Sequence, residues 1–384
     1  MLVLVLGSLA AFAPLAIDMY LPAFSAIAAD LGTTGNAVGW TLAVYFVGLA
    51  LGQIVIGPIA DRHGRARPLR AGLAVFVLGS LAAALAPRIE LLIAARLVQS
   101  LGGAACAVTT RAVVRDLYRG ADAARINSRL VLVMGVAPIV APLAGGGLLM
   151  IASWRMIFVA LAAVGALAWV AVRATLPETA PGHAPGPRVR VIRGLVSDRG
   201  FLTHAAITAA CSAALFAYIT GAPIVLIEIH HVAPHHFGWF FGSNAAAYIA
   251  TCQLNVRLLR GHAPRALLRC GIAGVVTASS LLVAGALGAW SLWPTAASYA
   301  LFMASLGLVL PNAVAIALEH QGARAASAAA WLGALQFSLA AVASAAVSAS
   351  GGGSALPPAV TMLALTLAAG LLVVGRRGYA SERP

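Results

Sequence analysis

The chain has 384 residues, of which 61% are hydrophobic and 9% are charged. Charged residues make up about a quarter of a soluble domain, so this composition excludes a soluble protein. Apolar runs of about 20 residues recur along the chain, and each is long enough to cross a bilayer core of about 30 Å as a helix. Barrel strands would instead alternate polar and apolar residues. The sequence therefore predicts an all-α polytopic membrane protein.

The net charge is +14, and the 25 basic residues are all arginine. Nucleic-acid binding is one interpretation of this charge, and basic loops that orient a membrane protein are the other. Because the chain is so apolar, we favour the second and expect no nucleic-acid partner. The four cysteines have no paired spacing, which argues against disulfides and zinc sites. The first residues lack the basic region and cleavage site of a signal peptide, so we expect none.

Twelve membrane spans are predicted, in two groups of six. Their approximate ranges are 2–27, 37–59, 70–87, 91–112, 127–150, 154–174, 201–226, 238–257, 267–287, 292–317, 327–349 and 356–375. Arginine-rich loops alternate with loops that carry few charges, and arginine-rich loops face the cytoplasm. We therefore expect a multi-pass membrane protein with both termini in the cytoplasm.

The longest hydrophilic stretch, 175–200, is rich in Pro, Gly and Arg and predicts a cytoplasmic linker. It separates an N-terminal six-helix bundle at 1–174 from a C-terminal six-helix bundle at 201–384. Two six-helix halves are typical of one large class of secondary transporters. The chain has no phosphate-binding loop, so by itself it is not an ATP-driven pump.

Between the second and third predicted spans the chain reads GPIADRHGRARPL. This stretch resembles the signature cytoplasmic loop of the major facilitator superfamily. The residues at the signature's positions are Gly57, Asp61, Arg62, Gly64 and Arg65. Ala66 stands where a basic residue is usual, and Arg67 is a candidate substitute. Glycine suits a tight turn because its φ is free, and a generic basic loop would explain neither the glycines nor the aspartate.

The fourth predicted span contains RLVQSLGGAACA, which is similar to the superfamily's fourth-span motif. Arg96, Gln99 and Gly103 lie at i, i+3 and i+7 and so share one helix face. Ser100 replaces the usual glycine of this motif. The spacing predicts a buried arginine that faces the interior of the helix bundle.

The fifth predicted span contains APIVAPLAGGG, which resembles the motif associated with antiporters. The residues that carry the resemblance are Pro138, Pro142, Gly145 and Gly146, while Ala141 replaces a usual glycine. Small residues and proline allow close helix approach and a bend. The alternative is that Gly and Pro are simply common in transmembrane helices.

Three further stretches narrow the resemblance to one branch of the superfamily. They are PLAIDMYLPAF in span 1, TGAPIV in span 7 and LPNAVA in span 10. The chain resembles the bicyclomycin and chloramphenicol resistance (Bcr/CflA) branch of twelve-span drug:proton antiporters. The resemblance implies a secondary active exporter that works by alternating access, with protons and a small amphiphilic drug-like substrate as partners. It also implies a monomer in the lipid bilayer of a bacterial inner membrane. A proton-coupled exporter or permease for one metabolite is the alternative.

Asp18 is the carboxylate of the first predicted span and the first candidate for proton coupling. At 1.5 Å per residue it lies about 24 Å into a span that runs outward, and Arg96 lies about 8 Å from the outer end of its own span. The two opposite charges therefore fall at similar heights. In the resembling family an acidic residue of span 1 is implicated in proton coupling. A static buried ion pair, or a carboxylate at the outer aqueous edge, are the alternatives.

The family resemblance also implies a cytoplasmic gate formed by Asp61, Arg65 and Asp116. Asp116 follows Arg96 by twenty residues, about 30 Å along a helix, which brings it to the inner face. Asp61 is also a candidate to face the N-terminus of span 11, where unpaired N–H groups favour an anion. The alternative is that these residues only fix topology.

Polar and aromatic side chains within the spans are candidates for an amphiphilic substrate cavity. They are Tyr20, Gln99, Met134, Tyr218, Asn244, Tyr248, Asn312, Trp331 and Gln336. One loop holds four histidines, but they lack metal-ligand spacing, so we expect no metal. Enzymatic catalysis would need a nucleophile or metal ligands at membrane depth, so we expect no enzyme and no cofactor.

Overall fold

The computed structural model describes residues 2–118, 120–178, 195, 197–322, 325–350 and 353–375, and within these ranges the regular structure is entirely helical. Most of the predicted linker, at 179–194 and 196, lies outside the described residues. The helices are α1 (Leu2–Ala10), α2 (Phe12–Asp18), α3 (Phe24–Asp30), α4 (Gly35–His63), α5 (Ala66–Ala84), α6 (Ile89–Leu117), α7 (Gly120–Ile151), α8 (Arg155–Thr175), α9 (Arg199–Pro223), α10 (Pro234–Leu258), α11 (Pro264–Leu287), α12 (Leu292–Leu318), α13 (Ala325–Ser348) and α14 (Leu356–Gly375).

Each of the twelve predicted spans falls on a helical segment, so the predicted fold class is confirmed. Eleven helical segments of the described chain are long and apolar enough to cross a membrane. The remaining predicted span, 238–257, corresponds to α10, which has 25 residues but is not apolar enough to count among these eleven. At 1.5 Å per residue its length of about 37 Å still suffices for a span.

The first span is not one continuous helix, as the sequence analysis assumed. It consists of α1, α2, a 3₁₀ turn at Leu21–Ala23, and α3. Pro22 accounts for the break after Asp18, because a proline lacks the N–H that would bond the carbonyl four residues earlier. The Ala23 N–H instead donates to the Tyr20 carbonyl at 2.9 Å. The break places Asp18 at the end of a helix and not in its interior.

The chain divides into two compact units. The first comprises Met1–Gly186 and Val232–Gly242, and the second comprises Pro187–His231 and Ser243–Pro384. The start of α10 thus groups with the first unit, where a Cβ at Gly238 would lie 2.9 Å from the Leu143 nitrogen of α7.

Glycines bring α4, α5 and α6 of the first unit into close contact. A Cβ at Gly79 of α5 would lie 2.5 Å from the Gln99 nitrogen of α6, closer than real Cβ atoms approach. Gly48 of α4 likewise leaves no room for a Cβ beside Ser100. The Ser100 hydroxyl, at the position of the family's usual glycine, donates to the Leu97 carbonyl at 2.7 Å. The missing side chain at Gly48 therefore accommodates this departure from the motif.

The second unit is stabilised by buried polar pairs between its helices. Asn312 of α12 donates to the Asn255 side chain of α10 at 2.7 Å. Asp198 caps α9 by accepting from the Phe201 N–H at 3.0 Å, and it also accepts from Gln321 at 2.8 Å. A buried polar group is tolerated inside a protein when it is paired in this way.

Candidate functional site

Arg96 lies at the centre of the candidate site, on α6, and has no exposed surface. One guanidinium nitrogen donates to the Gln99 side chain, and the other donates to the Ala16 carbonyl at 2.9 Å. The guanidinium also lies over the rings of Tyr20 and Tyr45, at 4.4 and 4.2 Å from their centroids. Stacking on aromatic faces stabilises a cation that has left water. Arg96 is therefore held as a buried cation by aromatic rings and neutral acceptors.

The aromatic rings and neutral acceptors around the Arg96 guanidinium form a cage, and neighbouring side chains hold this cage in place. The Gln99 amide donates to the Ser80 hydroxyl of α5 at 2.7 Å, and Ser80 donates to the Phe76 carbonyl. The Tyr20 hydroxyl is 2.8 Å from the Thr41 hydroxyl of α4. Elements α4, α5, α6 and the broken first span therefore all fix the position of the guanidinium.

Asp18 is buried next to this cage, with 3% of its surface exposed. Its Oδ1 atom has no hydrogen-bond partner among the described residues. Of the ion pairs between described residues, none joins Asp18 to Arg96; the arginine instead binds the Ala16 carbonyl two residues earlier. The alternative of a static ion pair between Asp18 and Arg96 is therefore not found among the described residues. The burial of Asp18 argues against the other alternative, a carboxylate at the outer aqueous edge. Burying a charged carboxylate without a partner is costly, so its protonation state depends on its surroundings.

A second cluster forms where α4, α5 and α6 end or begin. Arg65 donates to Asp61 at 2.6 Å and to Asp116 at 2.8 Å. Only 5% of the Arg65 side chain is exposed. Burial acts to lower the pKa of Arg65, but its hydrogen bonds to Asp116 and Asp61 outweigh that effect, and its pKa is raised above the ordinary value. Arg65 is therefore a permanent cation that links the ends of the three helices.

Glu178 is a member of this cluster that the sequence analysis missed. Its carboxylate accepts hydrogen bonds from the backbone N–H groups of Arg65, at 2.5 Å, and Ala66, at 3.3 Å. These N–H groups belong to the start of α5, where the helix has no internal partners for them and favours an anion. The contact joins positions 113 residues apart. No local spacing in the sequence could have indicated it.

The two glycines of the signature loop have different roles. Gly64 has φ +87°, which L side chains rarely adopt, and a Cβ there would overlap the Glu178 carboxylate. Gly57 lies inside α4 with open space beside it, so of the two glycines it is Gly64 that serves the tight turn. Arg62 and Arg67 are exposed, while Ala66 is buried. A basic side chain at position 66 would have to displace its neighbours.

The antiporter-like stretch lies in the C-terminal half of α7. This helix continues through Pro138 and Pro142 without a break. Two of its three glycines, Gly145 and Gly146, make close contacts within the first unit. A Cβ at Gly145 would overlap the Met19 carbonyl, and a Cβ at Gly146 would lie 3.2 Å from His235. Close helix approach is therefore a property of this stretch in the structure.

The proposed cavity residues lie in both units and differ in burial. Tyr20 and Gln99 are fully buried and support Arg96. Asn244 donates to the buried Tyr218 hydroxyl at 3.0 Å. The remaining five differ in exposure: Asn312 is buried, Tyr248 and Gln336 are half-buried, and Met134 and Trp331 are exposed. The structure thus brings together two subsets, one around Arg96 and one around Tyr218.

The model of the Major Facilitator Superfamily matches residues 6–345. The chain belongs to this superfamily. The "Uncharacterized MFS-type transporter YdgK" of Bacillus subtilis is 35% identical over 350 residues, covering 89% of this chain and 87% of the relative. The "Bicyclomycin resistance protein homolog" of Haemophilus influenzae is 31% identical over 348 residues, covering 88% of this chain and 87% of the relative.

The solved structure of a D-xylose–proton symporter matches with a TM-score of 0.76 and 13% identity, covering 97% of this chain and 96% of the other. This similarity establishes the fold. The expected resemblance to the bicyclomycin resistance branch of the major facilitator superfamily is confirmed. The protein is thus a multi-pass membrane transporter of this superfamily.

Proposed function

We propose that this transporter exports small amphiphilic drug-like molecules in exchange for protons. The observation that carries the proposal is Asp18, a carboxyl group buried in an apolar span with one oxygen unpartnered among the described residues. Ionisable groups inside membrane segments are costly and usually functional. The drug-resistance name of a relative supports a drug-like substrate.

Asp18 is the proton carrier in this proposal, and Arg96 sets its surroundings. In a dry site without a counter-charge, the neutral acid is favoured over an isolated carboxylate. When water reaches the carboxyl group or the guanidinium approaches it, the anion is favoured. Alternation between these two surroundings therefore binds a proton on one side of the membrane and releases it on the other.

The cluster of Asp61, Arg65, Asp116 and Glu178 serves as the gate in this proposal. Its ion pairs connect three helix ends, and their formation or loss biases the equilibrium between two states of the transporter. The Arg65–Asp61 pair, in which about a third of the Asp61 side chain is exposed, contributes only about 1 kcal/mol. That is enough, because alternating access requires two states of nearly equal free energy.

We further propose that the loop between α4 and α5 and both termini face the cytoplasm of a bacterial inner membrane. The basis is the concentration of arginines in this loop and in every second loop along the chain. The probe of this orientation is a single reactive cysteine at the exposed Arg67 in a cysteine-free background. It is expected to be protected from an impermeant thiol reagent in intact cells and labelled in everted vesicles.

The function is tested by expressing the protein in a drug-sensitive bacterium that lacks its own exporters. We expect raised resistance to several of chloramphenicol, bicyclomycin and ethidium. In everted vesicles, ethidium transport should stop when nigericin collapses the pH gradient. Transport that survives this collapse would contradict proton coupling. Transport of one metabolite and of none of the drugs would favour the metabolite permease instead.

A further inference from the structure

Three consecutive glycines of α7 have three different environments. A Cβ at Gly145 would lie 2.8 Å from the Met19 carbonyl carbon and closer still to its oxygen. A Cβ at Gly146 would lie 3.2 Å from His235, and a Cβ at Gly147 would meet nothing within 4 Å. Of these three glycines, Gly145 alone therefore packs against the broken segment of the first span.

The contact that Gly145 makes is to backbone, which has little freedom to move aside. Met19 directly follows Asp18, the last residue of α2. Its carbonyl lies at the break where Pro22 offers no N–H and the Ala23 N–H is used by Tyr20. A side chain at position 145 would therefore have to displace the turn that carries Asp18.

The surroundings of Asp18 depend on the position of this turn. Its Oδ1 atom is enclosed and unpartnered among the described residues. Tyr20, on its own segment, interacts electrostatically with both Asp18 and Arg96, and the Arg96 guanidinium lies over the Tyr20 ring. The part of α7 from 133 to 151 and the whole of α1 carry no charged residue. This part of α7 therefore acts on Asp18 through packing and not through charge.

We propose that Gly145 is a positioning residue for Asp18: α7 lies against the Met19 carbonyl and thereby sets how far water reaches the carboxyl group. Packed interiors transmit displacement because they contain few voids. A shift of α7 in the transport cycle is therefore passed directly to the proton-carrying turn. The inference deepens the proposed function and rests on it for the role of the proton.

The direct test is the rate at which dicyclohexylcarbodiimide labels Asp18, measured by mass spectrometry on the full-length protein in lipid nanodiscs at one acidic pH. Gly145→Ala should displace the turn and raise the rate at Asp18 on the order of threefold or more. Gly147→Ala, on the same helix, should leave it unchanged. Glu228 of the second unit is the internal reference, because a general loosening of the fold raises labelling at both carboxyl groups.

Equal Asp18:Glu228 labelling ratios in the wild type, Gly145→Ala and Gly147→Ala would overturn the inference. This experiment needs no transported substrate. It therefore fails or succeeds independently of transport, which tests the proposed function.

A second measurement applies if Gly145→Ala does not fold. Coupling between two sites is reciprocal, so a change at Asp18 must be felt at α7. Asp18→Asn should alter amide hydrogen exchange in α7 around residues 138–150 and leave α14, in the second unit, unchanged. Unchanged exchange in α7 would overturn the inference.

Discussion

At the residue scale, the site depends on how buried charges are compensated. Arg96 is compensated by aromatic rings and neutral acceptors, and Arg65 is compensated by two carboxylates. The i, i+3 spacing indicated that Arg96 and Gln99 share a helix face, and the structure places them in contact. Helix depth alone put Asp18 near Arg96, but it could not give the direction of either side chain. The contact with Ala16 therefore had to come from the structure.

Arg96→Lys is expected to reduce transport at least about tenfold, because an ammonium has neither the planar face nor the fork of the guanidinium. Lysine cannot stack on Tyr20 and Tyr45 while it also bonds Gln99 and Ala16. The measurement is ethidium efflux normalised to the amount of inserted protein. The control is Arg155→Lys, whose partner is Asp30 in an exposed pair worth about 0–1 kcal/mol. Equal efflux by the two variants would contradict the role of the cage.

Glu178→Ala is expected to loosen the start of α5 by about 1 kcal/mol, the usual value of a helix cap. The two N–H groups of Arg65 and Ala66 would lose their acceptor. Limited trypsin digestion should then cleave faster at the Arg65–Ala66 bond, because the buried Arg65 side chain becomes accessible when this helix start loosens. Glu319→Ala, at an exposed position, serves as the control. An unchanged cleavage rate in Glu178→Ala would show that the cap does not hold this loop.

At the scale of elements, apolar run length was enough to locate the helices, because a bilayer of fixed thickness imposes it. The same criterion missed the break in the first span, since proline and its neighbours are as apolar as the rest of PLAIDMYLPAF. It also located α10, although that helix is not among the eleven segments that are apolar enough to count as spans by composition alone. The contacts between helices could not be predicted from run length, because they depend on glycines such as Gly79 whose partners lie on other helices.

Gly79→Val is expected to destabilise the first unit by about 1–3 kcal/mol or more, because it inserts atoms where α5 meets the backbone of α6. A thiol-reactive dye that fluoresces on reaching the buried Cys106 should report unfolding at a lower temperature. Gly147→Val, which faces open space, should unfold near the wild-type temperature. A matching decrease in both variants would mean that the close contact at Gly79 has no special weight.

At the scale of the whole molecule, the chain divides into two compact units, and the proposed proton coupling rests on one buried carboxyl group. Two six-helix groups and an arginine-rich linker remain predictions from the sequence, made because charge and hydropathy vary over tens of residues. The identity of the substrate is harder to predict from the sequence, since candidate cavity residues such as Tyr218 and Asn244 are buried and hydrogen-bonded to one another. Many side chains from different helices form such a cavity, so no single spacing in the sequence identifies it.

The most direct test of the account is transport by Asp18→Asn in proteoliposomes. Asparagine keeps the size of the side chain but cannot exchange a proton. The variant is expected to move ethidium down its concentration gradient at a measurable rate and to fail to concentrate it when only a pH gradient is imposed, whereas the wild type does both. Accumulation of ethidium by Asp18→Asn under the pH gradient alone would contradict the assignment of Asp18 as the proton carrier.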